Sequence, residues 1–259
     1  MAKILAIVNQ KGGVGKTTTA VNLASYLAKQ GKFTLIVDMD PQGNATSSFT
    51  LKKSHADRFS IYDAIINAAP TSVIRRETDQ VGLHIIPGSR DLAGAAVELV
   101  QVPRREWQLH RVLLPIRHDY DYIIIDCPPS LDLLTVNSLT AADEVLIPVQ
   151  CEYYALEGLK QLLNTIGLVQ KHLKPSLRVA GALLTMHDPR NALSSQVVEE
   201  VKYGFPHNVF EAVVPRSTRL AEAPSHGKTI LDYDPASKGA KAYEQLAREI
   251  INKEANFSI

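Results

Sequence analysis

Cysteine is scarce in this sequence of 259 residues: Cys127 and Cys151 are the two present, too few for a disulfide framework. Neither lies in a CxxC pair of the kind that binds zinc or an iron–sulfur cluster, so both read as small buried hydrophobes. No apolar run approaches the roughly 20 residues that a membrane-spanning helix needs, which predicts a cytoplasmic protein. Proline- or serine-rich tracts, low-complexity segments and internal repeats are missing, which leaves little room for disorder or a long linker. Charge of one sign is also missing: a formal net charge of +1 excludes a surface coated in basic residues. The opening, MAKILAIVNQKGG, has a basic residue and a short apolar run but no small-residue cleavage site, and so reads as a first strand rather than a signal peptide.

The composition, with hydrophobic residues at 45% and charged residues at 21%, is that of a globular chain, and one domain over residues 1–259 is expected. The charge is unevenly spread. Residues 1–159 hold 17 acidic against 15 basic side chains, and residues 160–259 hold 10 against 13, so an anionic partner should meet the C-terminal part.

Apolar runs rich in branched residues recur at 3–8, 33–38, 83–87, 122–126, 144–149, 178–185 and 208–214, each reading as a strand buried on both faces. Helical periods fall between most of them, at 17–29, 92–100, 157–172 and 194–203, with a last helix at about 237–253. The alternation predicts an α/β fold: a doubly wound, mostly parallel sheet with helices on both faces. Gly31 should end the first helix, Asp91 should cap the helix that starts at Leu92, and Tyr243, Leu246, Ala247, Ile250 and Ile251 should dock the last helix on the sheet.

Directly after the first strand comes KGGVGKTTT, residues 11–19, where a strand must turn sharply into a helix. Gly12, Gly13 and Gly15, with Val14 between them, let backbone N–H groups turn inward around phosphate oxygens, and the helix start adds its free N–H groups and positive dipole end. Lys16 supplies a point charge for the β- and γ-phosphates of a nucleotide, Thr17 a hydroxyl for Mg²⁺, and Thr18 a contact to the α-phosphate. Two further strands end in carboxylates at the edge where α/β sheets bind ligands: VDMD carries Asp38 and Asp40, and YIIID carries Asp126, placed to hold the metal through a coordinated water.

The loop lacks the usual first glycine, has Gln10 there, and adds a second lysine, Lys11. In this it resembles the deviant Walker A group of P-loop NTPases, which includes ParA and Soj partition ATPases, MinD and the nitrogenase iron protein. The resemblance implies ATP and Mg²⁺ as ligands, and a homodimer in which Lys11 reaches the partner's phosphates. It implies that Asp40 orients the attacking water, that Asp38 is a more structural acid, and that Glu152 contacts nucleotide across the seam. DPQGNAT (40–46), PVQCEYYALEG (148–158) and VVPRSTRLAEAPSHGKTI (213–230) narrow the likeness to ParA and Soj.

That narrower resemblance implies that Pro215 and Arg216 border the adenine ring, and that Arg190 and Arg219, with Lys202 and Lys228 as additions, bind DNA. A ParB-like activator, non-specific double-stranded DNA and a place on the nucleoid follow as expected partners and location. The P-loop begins within the first dozen residues, which suggests the short type without a preceding helix-turn-helix domain. Two other readings use the same loop. A MinD-like division regulator needs a basic amphipathic tail, which INKEANFSI does not resemble; an iron–sulfur reductase needs glycines around its cluster cysteines, which are lacking here. Partition of a different cargo stays open.

Overall fold

The computed structural model describes residues 1–51, 59–152 and 155–257. The chain runs β1 (Lys3–Ile7), α1 (Lys16–Lys29), β2 (Thr34–Asp38), α2 (Asn44–Ser47), α3 (Ile61–Ile66), α4 (Thr71–Ile74), β3 (Arg76–Glu77), β4 (Leu83–Ile86), α5 (Leu92–Glu98), α6 (Gln108–Leu113), β5 (Tyr122–Asp126), α7 (Leu133–Ala141), β6 (Glu144–Gln150), α8 (Ala155–His172), β7 (Arg178–His187), α9 (Ala192–Gly204), β8 (Val209–Pro215), α10 (Thr218–Glu222), α11 (Ile230–Tyr233) and α12 (Lys238–Phe257).

The strands form one sheet in the order β3-β4-β2-β5-β1-β6-β7-β8. Every pairing is parallel except that of β3 with β4. The central strands are apolar on both faces, so the sheet separates two cores. Ile4 and Ala6 of β1 face one core with Ile123 and Ile125, while Leu5 and Ile7 face the other with Tyr122 and Ile124. Chain reversal on either side of β1 makes this the switch point of the sheet, where α/β folds open a crevice at the strands' C-terminal ends.

The helix ends follow local chemistry. Gly31 closes α1 at φ 77°: its N–H donates to the carbonyl of Ala28, and that of Lys32 to the carbonyl of Leu27. The expected stripe of α12 is seated, with Tyr243, Leu246, Ala247 and Ile250 buried against the second core and Ile251 partly so. Asp91 stands at the expected cap position of α5 but does not cap it. Its backbone is already helical, and its carboxylate instead accepts the Ser89 hydroxyl at 3.3 Å. Both cysteines are buried free thiols, and burial pushes Cys127 up to about 12 and Cys151 to about 11. No helix among the described residues is long and apolar enough to cross a membrane. Tyr153 and Tyr154 of the 148–158 stretch, and Ser258 and Ile259 of the tail, lie outside the described residues.

Candidate functional site

The loop between β1 and α1 turns on two left-handed glycines, Gly13 at φ 73° and Gly15 at φ 91°, a conformation costly for any residue with a Cβ. Val14 between them is buried, and its carbonyl accepts the Thr185 hydroxyl at 2.9 Å, which pins the loop to the end of β7. The Asn9 side chain bridges from the Pro148 carbonyl (2.7 Å) to the Lys11 N–H (3.0 Å) and so ties the loop to β6 as well. Fixed on both sides, the loop faces a cavity of about 290 Å³ lined by Gly12, Gly13, Gly15, Lys16, Thr17, Thr18, Asp40, Gln42, Asn44, Pro129 and Met186. Lys16 folds back across the loop, its Nζ donating to the Lys11 carbonyl at 3.1 Å. Burial lowers its pKa, and Asp126, Cys127 and Asp40 oppose that shift.

Parallel pairing of β2 with β5 sets Asp38 and Asp126 opposite each other at the floor of the site. Both are fully buried. Neither carboxylate oxygen of Asp126 finds a hydrogen-bond partner of good geometry. Burial raises its pKa well above the ordinary carboxylate value, Asp38 raises it further, and Thr17 and Lys16 ease it only in part. A buried acid with idle oxygens next to a second buried acid needs a cation or a proton. The hard oxygen donors and the neighbouring Thr17 hydroxyl suit Mg²⁺.

Asp38 is better satisfied. One carboxylate oxygen accepts the Thr46 N–H (2.8 Å) and hydroxyl (2.6 Å), and the other accepts the Asp40 N–H (3.2 Å). The Thr46 hydroxyl in turn accepts the Gly88 N–H at 3.0 Å. A Cβ at Gly88 would lie 2.9 Å from the Asp38 carbonyl and 3.0 Å from that of Asp40, so the loop after β4 presses directly on the loop carrying Asp40. Asp40, 6% exposed, accepts the Gln42 N–H at 2.9 Å and opens on the phosphate cavity.

Beside this cavity lies an apolar slot lined by Gly15, Thr18, Thr185, Met186, Val214, Pro215, Ser217, Leu220, Ala221 and Tyr243. Pro215 is in its wall and Arg216 is not. Met186 borders both spaces and holds a left-handed backbone at φ 53°, a strained state for a side chain of its size. Nothing in the sequence marks Met186. Thr46 was legible only as part of DPQGNAT, and Gly88, just past the expected strand 83–87, was not marked at all.

Lys11 points away from its own phosphate cavity. Its ammonium meets Glu152 at 3.0 Å, and the other oxygen of Glu152 takes Gln150 and, at 3.7 Å, Arg216. The four expected DNA contacts are spread out. Arg190, its side chain 87% exposed, is forked onto Asp188 (3.0 and 2.9 Å) in a groove shared with His187, Arg216 and Lys238. Arg219 pairs with Glu222 (3.3 Å) and Asp234 (3.7 Å) above the Tyr233 ring, and Lys202 stands 3.9 Å from Glu211. Lys228 lines a cavity that adjoins the phosphate cavity and shares Thr17, Thr18 and Asn44 with it.

Comparison with known proteins agrees with this geometry. The family described as the AAA domain matches residues 2–179. The chain is 56% identical over 250 residues to the sporulation initiation inhibitor protein Soj of Bacillus subtilis strain 168, covering 96% of this chain and 98% of that one. It is 52% identical over 254 residues to the chromosome partitioning protein ParA of Myxococcus xanthus strain DK1622, covering 98% and 89%. Among solved structures, cobyrinic acid a,c-diamide synthase from Mycobacterium smegmatis with bound ATP analogue and magnesium superposes with a TM-score of 0.84 at 37% identity, over 97% of this chain and 95% of that one. The chain belongs to the ParA/Soj family of chromosome-partitioning ATPases.

Proposed function

We propose that residues 1–259 act as one ATPase domain and as a nucleotide-driven switch for DNA segregation. ATP closes a homodimer, the dimer holds double-stranded DNA without regard to sequence, and a ParB-like partner stimulates hydrolysis and release. The observation that carries the reading is the pair of buried carboxylates, Asp38 and Asp126, under a glycine cradle that already holds a buried lysine. That constellation suits a triphosphate with its Mg²⁺ and little else.

In this scheme Gly12, Gly13, Val14 and Gly15 present N–H groups to the phosphates, Lys16 takes the β- and γ-phosphates, and Thr18 takes the α-phosphate. Thr17 and Asp126 would hold Mg²⁺, which when bound would neutralise charge on the β- and γ-phosphate oxygens. Asp40 orients the attacking water. It is a positioner and not a strong base, so hydrolysis stays weak until the partner perfects the geometry. The base lies in the slot walled by Pro215. Lys11, already turned out of its own cavity, serves the partner subunit's phosphates, where two negatively charged sites would otherwise repel.

Arg190, Arg219, Lys202 and Lys228 form the DNA surface once a two-fold dimer doubles each contact, and a cytoplasmic, nucleoid-associated location follows. Three of them are matched to carboxylates of their own chain, so DNA phosphate must displace Asp188, Glu211, Glu222 and Asp234. That exchange favours weak, salt-sensitive binding. The test is filter binding on unrelated duplexes with ATP, ADP and no nucleotide. Binding should require ATP, and Arg219→Ala should lower the slope of log K against log salt by about 1.8, for two lost phosphate contacts per dimer. Equal binding with ADP, or an unchanged slope, would count against the proposal.

A further inference from the structure

At the end of the sheet opposite the phosphate loop, β7 departs from regular pairing. Val179 pairs with Val145 and Gly181 with Leu146, so Ala180 is an extra residue without a partner on β6. Gly181 packs so tightly that a Cβ there would lie 2.7 Å from the Asn208 carbonyl oxygen. The register slips again between β7 and β8 after Ala182. Bulges of this kind bend a strand and gather beside functional sites.

Here the bend opens a cavity of about 370 Å³ between the early parts of β6, β7 and β8 and the later turns of α12. That is the size range of a small-molecule pocket. Its walls are apolar at Leu5, Phe210 and Ile250, and its charged side chains are Lys3, Glu144, Arg178 and Lys253. Lys3 is matched by Glu144 at 2.8 Å. The Lys253 ammonium donates to the carbonyl of the bulge residue Ala180 at 3.2 Å and stands 4.8 Å from the centre of the Phe210 ring, which leaves N–H groups for a further acceptor. Arg178 is exposed, and no carboxylate among the described residues pairs with its guanidinium. Two cations beyond the Lys3–Glu144 pair thus rim an apolar floor. Glu144 and Glu249 already act on the Lys253 ammonium, so one further negative charge completes the set, whereas a second would lie against Glu144, and the apolar walls call for a hydrocarbon body.

We propose that this cavity binds a small organic monocarboxylate with an apolar tail, its head on Arg178 and Lys253 and its tail over Phe210. The site stands apart from the phosphate cavity and shares no residue with it. The experiment is calorimetric titration of the purified protein with sodium octanoate, with octylammonium chloride in parallel. Octanoate should bind saturably at one site, unaffected by saturating ATP and Mg²⁺, and octylammonium should not bind. Arg178→Glu, a change at an exposed position that leaves the fold and the ATPase rate intact, should weaken octanoate by roughly tenfold or more. Absence of saturable binding, unchanged affinity in Arg178→Glu, equal binding of octylammonium, or competition by ATP would each overturn the assignment.

Discussion

The Lys11 ammonium lies 3.0 Å from the Glu152 carboxylate of the same chain, and so the lysine proposed to serve a partner subunit's phosphates is tethered within its own chain. Both side chains are about half exposed, at 48% and 46%, so the pair is worth little to stability. In the proposed ATP dimer it would compete with the closed state. Glu152→Gln should leave unfolding free energy within about 1 kcal/mol of wild type and shift ATP-dependent dimerisation to protein concentrations about two- to fivefold lower. Light scattering across a dilution series checks this. Loss of the dimer would instead give Glu152 the direct nucleotide contact across the seam that the family resemblance implies.

The Thr46 hydroxyl joins Asp38 to the Gly88 N–H, and this contact holds the loop that carries Asp40, the residue proposed to orient the attacking water. Thr46→Val should cost about 1–3 kcal/mol of stability, because Asp38 loses a donor and the Gly88 N–H loses its acceptor. Its larger effect should be on turnover: kcat falling about ten- to a hundredfold with ATP affinity nearly unchanged, since misplaced geometry at Asp40 affects the reacting water rather than the phosphate cradle. Thr46→Ser should restore most of the rate. Gly88→Ala should behave like Thr46→Val, because its methyl meets backbone atoms that cannot swing aside. Steady-state kinetics with nucleotide-binding titrations separate the two effects.

The buried acids make the nucleotide-free protein sensitive to pH. Burial raises Asp38 to about 6 and Asp126 well above its ordinary value. An acid whose pKa is higher folded than unfolded supports the fold when protonated, so its contribution is whole below about pH 4 and drains away as pH rises through the folded pKa. Thermal unfolding should therefore show wild type losing stability as pH rises above about 4 relative to Asp126→Asn, by about 1.4 kcal/mol for each tenfold difference in proton affinity between the folded and unfolded acid. Saturating Mg²⁺ and ADP should flatten the wild-type profile and leave Asp126→Asn unaffected. Parallel profiles for the two proteins would show that the acids carry no such cost.

What the sequence disclosed and what it hid divide along a physical line. The seven parallel strands were legible because each is a run rich in branched apolar residues, buried on both faces in the centre of the sheet and on one face at the edge strand β8. The P-loop was legible because glycines, lysine and threonine must stand at fixed spacing between a strand and a helix. α7 was hidden because Thr135, Asn137, Ser138 and Thr140 are as buried as its leucines, which erases the helical stripe. Asp132 caps it by accepting the N–H groups of Leu134 and Thr135. The two-residue strand β3 is too short for any pattern, although Ser60 and Asp63 at the start of α3 form a capping box that spacing alone could have revealed. Of the site, Lys16, Thr17, Asp40 and Asp126 were readable as chemistry. The Thr46–Gly88 contact and the strained Met186 were not, since one joins residues 42 apart in sequence and the other is a backbone state.

Size-exclusion chromatography with light scattering in ATP and Mg²⁺ separates the proposed closing of a dimer through Lys11 from its reopening by hydrolysis at Asp40. Wild type, Lys11→Ala and Asp40→Ala are compared side by side. Lys11→Ala should bind ATP and stay monomeric, and Asp40→Ala should accumulate as an ATP-bound dimer that outlasts the wild-type dimer. A dimeric Lys11→Ala protein or a monomeric Asp40→Ala protein would contradict the account.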